Sequence, residues 1–164
     1  IMPSLVGSEM CIRDSLMTAQ WTWREGALTN AAGEQLAFVR DGVLTTAGGE
    51  RLTLESSLDY SSPRFFLRAQ TAAGAGEDFS VSQAGITITR LRAACGEREY
   101  LLERRNPFRR ERRIVARRSG AEVASTAPAG NGLQVSVGEL PELDAIFLSY
   151  ACALLDATPR TLRT

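Results

Sequence analysis

Histidine and lysine are both absent from this 164-residue chain. Without an imidazole, no side chain changes charge unperturbed between pH 5 and 8, so proton transfer near neutrality would need a strongly shifted carboxylate or cysteine. Cysteine is scarce too: Cys11, Cys95 and Cys152 form neither a disulfide framework nor a metal-ligand set. The glycine-rich TAAGAGE, Thr71 to Glu77, lacks the Gly-Lys-Ser/Thr ending of a phosphate loop and does not follow the dinucleotide-binding order. Basic and acidic residues balance at 19 each, so an electrostatic partner must be recognised locally. The reading from these absences is a non-enzymatic protein with no cofactor and no metal.

The start of the chain is expected to be foreign to the fold. Residues 5 to 15, LVGSEMCIRDS, resemble a translated sequencing adapter, and the lysine-free, Ala-, Gly- and Arg-rich remainder fits a GC-rich genome where this leader does not. Residues 1–16 are therefore read as a disordered, non-native leader, with the native start at Met17. The 148 residues from Met17 carry 18 basic and 17 acidic side chains and are enough for one domain, placed at 17–157 with a tail at 158–164. No basic start followed by an apolar core marks secretion, which leaves a reducing cytoplasm as the expected compartment.

The most apolar stretch is LDAIFLSYACALL, Leu143 to Leu155, with Asp144 as its sole charge. As a helix it is about 20 Å long against a membrane core of about 30 Å, so it is expected to be buried in protein. Leu143, Ile146, Phe147, Tyr150 and Leu154 fall on one side, and Ala145, Ser149, Cys152 and Asp156 on the other. The small side is read as packing surface, although Ser149, Cys152 and Asp156 have the spacing of a nucleophile and its helper. Pro141 and Glu142 suit a first helical turn and Pro159 a stop. If Asp144 only faces the helix start, Asp144→Leu is expected to be tolerated.

Between these lie short runs broken by glycine. Trp21 and Trp23 alternate with Thr22 and Arg24, the period of a half-buried strand. ALTNAAGEQL, Ala27 to Leu36, is echoed sixteen residues later by VLTTAGGERL, Val43 to Leu52, a hairpin written twice. Further strands are expected at Arg64–Gln70, Asp78–Ser82, Ile86–Arg92, Glu99–Arg104, Glu111–Arg117, Glu122–Ser125 and Leu133–Val137, with Cys95 in a turn. Thr71–Glu77 and Ala127–Gly132 are expected to be mobile loops. Ten to twelve strands in a meander must close or split into packed sheets.

This order of elements resembles the tubby C-terminal-like superfamily, which includes the LURP-one-related proteins and phospholipid scramblases. The residues carrying the likeness are the Gly-Glu hairpins at Gly33 and Gly49, ITITRLRAACGEREYLLERR, the Arg-rich strand running into RRSGAEVAS, and ELPELDAIFLSYACALLD. The resemblance implies a mainly β fold, a closed antiparallel barrel of ten to twelve strands around one hydrophobic C-terminal helix at about 141–156. It implies no catalytic motif, and raises anionic phospholipid as a partner.

One charged constellation stands out. From Arg104 to Arg118 there are eight arginines and one acid, Glu111. Asn106-Pro107 marks a turn between two strands. Alternation puts Tyr100, Leu102, Ile114 and Ala116 inward, and Glu103, Glu111, Arg113, Val115 and Arg117 outward. Three readings compete: a solvated hairpin whose arginines pair with Glu97, Glu99, Glu103 and Glu111; an anionic membrane surface, with Phe108 dipping into the interface; and nucleic acid, ranked lower for a neutral domain. The candidate anion- or lipid-binding residues are Arg104, Arg105, Phe108, Arg109, Arg110, Arg112 and Arg113. The expected role is a binding or regulatory module, cytoplasmic and peripheral to the membrane, the alternatives being a nucleic-acid-binding domain or a structural or protein-interaction domain with no anion site.

Overall fold

The computed structural model describes residues 19–57, 64–71, 78–106, 108–130 and 132–156. The expected leader, the tail and most of Thr71–Glu77 lie outside the described residues.

The doubled hairpin sets the pattern for the barrel. Its equivalence begins earlier than the repeated Leu-Thr, at Arg24-Glu25-Gly26 and Arg40-Asp41-Gly42. Both central residues of each pair have positive φ, 52° and 79° in one, 53° and 76° in the other, which is the two-residue turn whose twist matches antiparallel strands. The following loops match as well: Gly33 and Gly49, at φ 86° and 91°, donate to the carbonyls of Asn30 and Thr46 at 3.0 Å. The Asn30 side chain accepts from the N–H of Glu34, and the Thr46 hydroxyl from that of Glu50. These units are β2 (Ala27–Asn30), β3 (Gln35–Arg40), β4 (Val43–Thr46) and β5 (Arg51–Ser56).

Eight more strands complete the sheet: β1 (Ala19–Arg24), β6 (Phe66–Thr71), β7 (Phe79–Gln83), β8 (Arg90–Cys95), β9 (Arg98–Arg104), β10 (Arg112–Ala116), β11 (Glu122–Ala129) and β12 (Gly132–Val137). Each pairs antiparallel with its sequence neighbours, and β1 pairs with β12 from Ala19↔Val137 to Trp23↔Leu133, so the meander closes with no free edge. A helix, α1 (Glu142–Asp156), fills the lumen, and its fifteen residues include the buried Ile146, Phe147, Leu148, Tyr150 and Cys152. Phe79 meets Phe147 and Trp23 meets Tyr150 at centroid separations of 5.4 and 5.3 Å. The mainly β, closed-barrel expectation holds, with twelve strands.

Three local expectations are corrected. Cys95 ends β8 with its side chain buried in the core, continuing the inward alternation of Leu91 and Ala93. Ala127–Gly132 is strand on both sides of its turn, because Ala127↔Gln134 and Ala129↔Gly132 still pair. The strand expected from Ile86 begins at Arg90, since Thr87 turns the chain: its hydroxyl lies 2.7 Å from that of Thr89 and 3.4 Å from the Thr89 N–H.

The barrel seam admits no side chain at Gly132, where a Cβ would collide with the Trp23 carbonyl across the β1–β12 pairing. Gly132→Ala is expected to lower stability by more than about 2 kcal/mol through forced separation of the seam, read from the urea midpoint.

Candidate anion-contact site

The arginine run occupies the end of β9, its loop to β10, and β10 itself. Asn106 organises the tip: its side-chain oxygen accepts from the Phe108 N–H at 2.8 Å, and its carbonyl from the Arg109 N–H at 3.1 Å. That geometry leaves the Phe108 ring 93% exposed.

Of the seven candidate residues, two do not belong to this surface. Arg112 is wholly buried, its Nε and Nη2 donating to the Asp156 carboxylate at 2.7 and 3.0 Å and its Nη1 to the Ile88 carbonyl at 2.8 Å. Arg104 also turns inward and donates to Asp156 at 3.0 Å. The reason is alternation: Arg98, Tyr100, Leu102 and Arg104 share the inner face of β9, as Arg112 and Ile114 share that of β10. The same rule that put Tyr100 and Ile114 inside puts these arginines inside.

The remaining candidates face solvent, most against an acid. Arg105 meets Glu122 at 2.6 Å, Arg109 meets Glu111 at 3.5 Å, and Arg113 meets Glu103 at 3.0 Å. Arg117 meets Glu99 at 3.0 Å, and Arg90 shares Glu103 at 3.4 Å. Among the described residues Arg110 has no acid within ion-pair distance. The run that reads as strongly positive in sequence is thus largely neutralised by acids brought from neighbouring strands, and each such exposed pair contributes about 0.2 to 1 kcal/mol.

Ile86 is the tip residue that the sequence reading missed. It projects from the β7–β8 loop and is 91% exposed; with Phe108 it makes up the exposed large hydrophobics among the described residues. Because β8 pairs with β9 from Arg90↔Glu103, the β7–β8 and β9–β10 loops are neighbours at one end of the barrel. They are tied by the Arg104 N–H donating to the Thr89 carbonyl at 2.9 Å. The available signal was the isolated Gly-Ile-Thr-Ile-Thr step after Gln83, where a bulky residue follows a glycine outside any paired register.

The opposite end of β9 is also charged. Arg98 donates twice to Asp144, at 2.6 and 3.0 Å, and the Tyr100 hydroxyl donates to the same carboxylate at 2.7 Å. Asp144 is fully buried, which overturns the expectation that it merely faces the helix start. Burial and the Asp144 carboxylate hold the Tyr100 hydroxyl above its ordinary pKa. For Arg112, burial opposes the charge, and hydrogen bonding to Asp156 with neighbouring negative charge outweighs it, keeping the guanidinium above its ordinary pKa.

Ser149, Cys152 and Asp156 share the buried small side of α1 and are each committed to the wall or lost to burial. The Ser149 hydroxyl accepts from the Trp23 indole N–H at 2.7 Å and donates to the Ile146 carbonyl at 3.0 Å. Burial pushes the Cys152 thiol up to about 12, so it stays protonated at neutral pH. Among the described residues no cluster of His, Cys, Asp and Glu could hold a metal ion, and no helix is long and apolar enough to cross a membrane.

Removing one member of a fully buried pair strands the other, so Asp156→Leu is expected to cost about 3 to 5 kcal/mol in urea unfolding. Asp144→Leu is expected to cost less, because Arg98 retains 38% side-chain exposure and can rehydrate. The reverse ranking would contradict the burial of Arg112. A second expectation concerns acid. The Arg113 hydrogen bond holds the Glu103 carboxyl below its ordinary 4.5, so its contribution is present above that pH and fades as pH falls further. Glu103→Gln should therefore lower stability by up to about 1 kcal/mol at pH 7, and the gap to the parent protein should narrow progressively as pH falls below 4.5.

Comparison with protein-family models, with curated proteins and with solved structures yields no match. The barrel's own geometry therefore carries the functional reading.

Proposed function

We propose that the chain is a tubby-like, non-enzymatic binding module that docks one end of its barrel on an anionic phospholipid surface, peripherally and from the cytoplasmic side. The observation that carries this is the pairing of Ile86 and Phe108, two almost fully exposed apolar side chains on neighbouring loops, with Arg105, Arg109 and Arg110 on the same loop as Phe108. A bulky apolar residue at a loop tip gains about 1.5 to 3 kcal/mol on leaving water, and a basic residue about 1 kcal/mol beside an acidic leaflet. The surface ion pairs of Arg105 and Arg109 are weak enough to be exchanged for lipid phosphate. A nucleic-acid surface would use the arginines and stack a base on Phe108 but gives no role to Ile86.

The test is sedimentation with phosphatidylcholine vesicles carrying phosphatidylserine. The wild-type chain should bind, Ile86→Ser with Phe108→Ser should lose tenfold or more, and Arg105, Arg109 and Arg110→Gln should weaken binding and flatten its salt dependence. Unchanged sedimentation of the serine variant would reject the docking mode. Retention of an oligonucleotide at low salt, with no vesicle binding, would replace it by the nucleic-acid reading.

A further inference from the structure

A concavity of about 290 Å³ opens on the outer wall directly below the loop that carries Ile86, lined by Thr87, Thr89, Arg90, Arg92, Leu101 and Arg117. Its size is at the lower limit of small-molecule sites, about 300 Å³. Three arginines and two threonines are among its lining residues. In-register pairing puts this set together: Arg90 lies opposite Glu103, Arg92 opposite Leu101, and Leu101 opposite Val115, two residues before Arg117.

The existing partners leave donors to spare. Arg92 has no ion pair among the described residues. Arg90 is held by Glu103 at 3.4 Å through one nitrogen, beyond the range of a good hydrogen bond, and Arg117 meets Glu99 through one nitrogen at 3.0 Å. A guanidinium has five N–H donors, so most remain unused. The Thr87 and Thr89 hydroxyls bond to one another, so that one proton bridges them and the other is free to point into the cavity. Within this patch the charges of Arg90, Arg92 and Arg117 exceed those of Glu99 and Glu103.

We infer that this cavity is a binding site for a phosphomonoester. A dianionic phosphate with three terminal oxygens can engage three guanidinium groups and a hydroxyl at once, while a phosphodiester offers one charge and two free oxygens. This inference rests on the proposed membrane docking for its lipid form only. With Ile86 and Phe108 in the interface, Arg90 and Arg92, two residues or about 7 Å apart along the strand, lie at headgroup depth. The same chemistry is presented by a lipid such as phosphatidic acid and by a free sugar or glycerol phosphate.

Two measurements on the full chain separate the sources. The first is calorimetric titration with glycerol 3-phosphate, where binding is expected and Arg92→Gln should weaken it about tenfold, the scale of one charge-assisted hydrogen bond. Arg92 holds no ion pair among the described residues, so an unchanged urea midpoint should accompany that loss. The second compares vesicles carrying phosphatidic acid with vesicles matched in charge by phosphatidylserine. Preference for phosphatidic acid, abolished by Arg92→Gln while phosphatidylserine binding survives, assigns the site to a lipid headgroup. Glycerol 3-phosphate binding without vesicle binding keeps the site, assigns it to a soluble phosphomonoester, and rejects membrane docking. Equal binding to both vesicle types with no glycerol 3-phosphate binding keeps docking and overturns the site. Glycerol 3-phosphate affinity that is the same in the Arg92→Gln protein also overturns it.

Discussion

Two carboxylates on the central helix and the inward arginines of two adjacent strands hold this molecule in register. Asp144 and Asp156 are twelve residues apart, about 18 Å along a helix, and Arg98 and Arg104 are six apart, about 20 Å along a strand. The helix therefore matches β9 in span and is clamped at each end, Asp144 by Arg98 and Tyr100, Asp156 by Arg112 and Arg104. A mostly apolar helix in a mostly apolar lumen could otherwise slide or turn with little penalty. A slip of one helical turn would part both clamps and leave several charges buried without partners, each at a cost of several kcal/mol. The Asp156 carboxylate also sits at the negative end of the helix dipole, so it depends on the two guanidinium groups facing it.

Closure of the sheet supplies the setting for that clamp. Neighbouring strands in sequence are neighbours in space, and the seam between β1 and β12 is drawn tight where Gly132 passes Trp23. Trp23 then reaches inward to Ser149, so the seam strand is also fastened to the helix. Barrel closure and helix placement support one another: the helix fills the space that closure creates, and the closed ladder leaves no edge to attract a second chain.

The outer surface follows a different economy. Arg113 and Arg117, which alternate outward, are met by Glu103 and Glu99 of β9, so a run of like charge in sequence becomes a mosaic of exposed pairs. What survives as a concentrated feature lies at one end and on the wall below it: Ile86 and Phe108 at adjacent tips, Arg110 beside them, and the cavity bordered by Arg90, Arg92 and Arg117. The end of the barrel at which Asp156 is clamped is the same end, because Arg104 and Arg112 flank the β9–β10 loop. Membrane contact there would press on a segment already braced from inside.

The local pattern by itself determined that the chain is mostly short antiparallel strands, that glycine turns recur at a sixteen-residue spacing, and that Leu143 to Leu155 is a buried helix, because turn chemistry and hydrophobic period act between near neighbours. Alternation along β9 and β10 also held the information that Arg98, Arg104 and Arg112 point inward beside Tyr100, Leu102 and Ile114. Arg104 and Arg112 read as surface residues only where charge is weighed above period. Which carboxylate each arginine meets was decided only by the tertiary structure, since Asp144 and Asp156 lie more than forty residues from their partners and become adjacent only when the helix threads the closed barrel. The neighbouring positions of Ile86 and Phe108 were decided in the same way, by the β8–β9 register, which brings two loops together that the chain keeps apart.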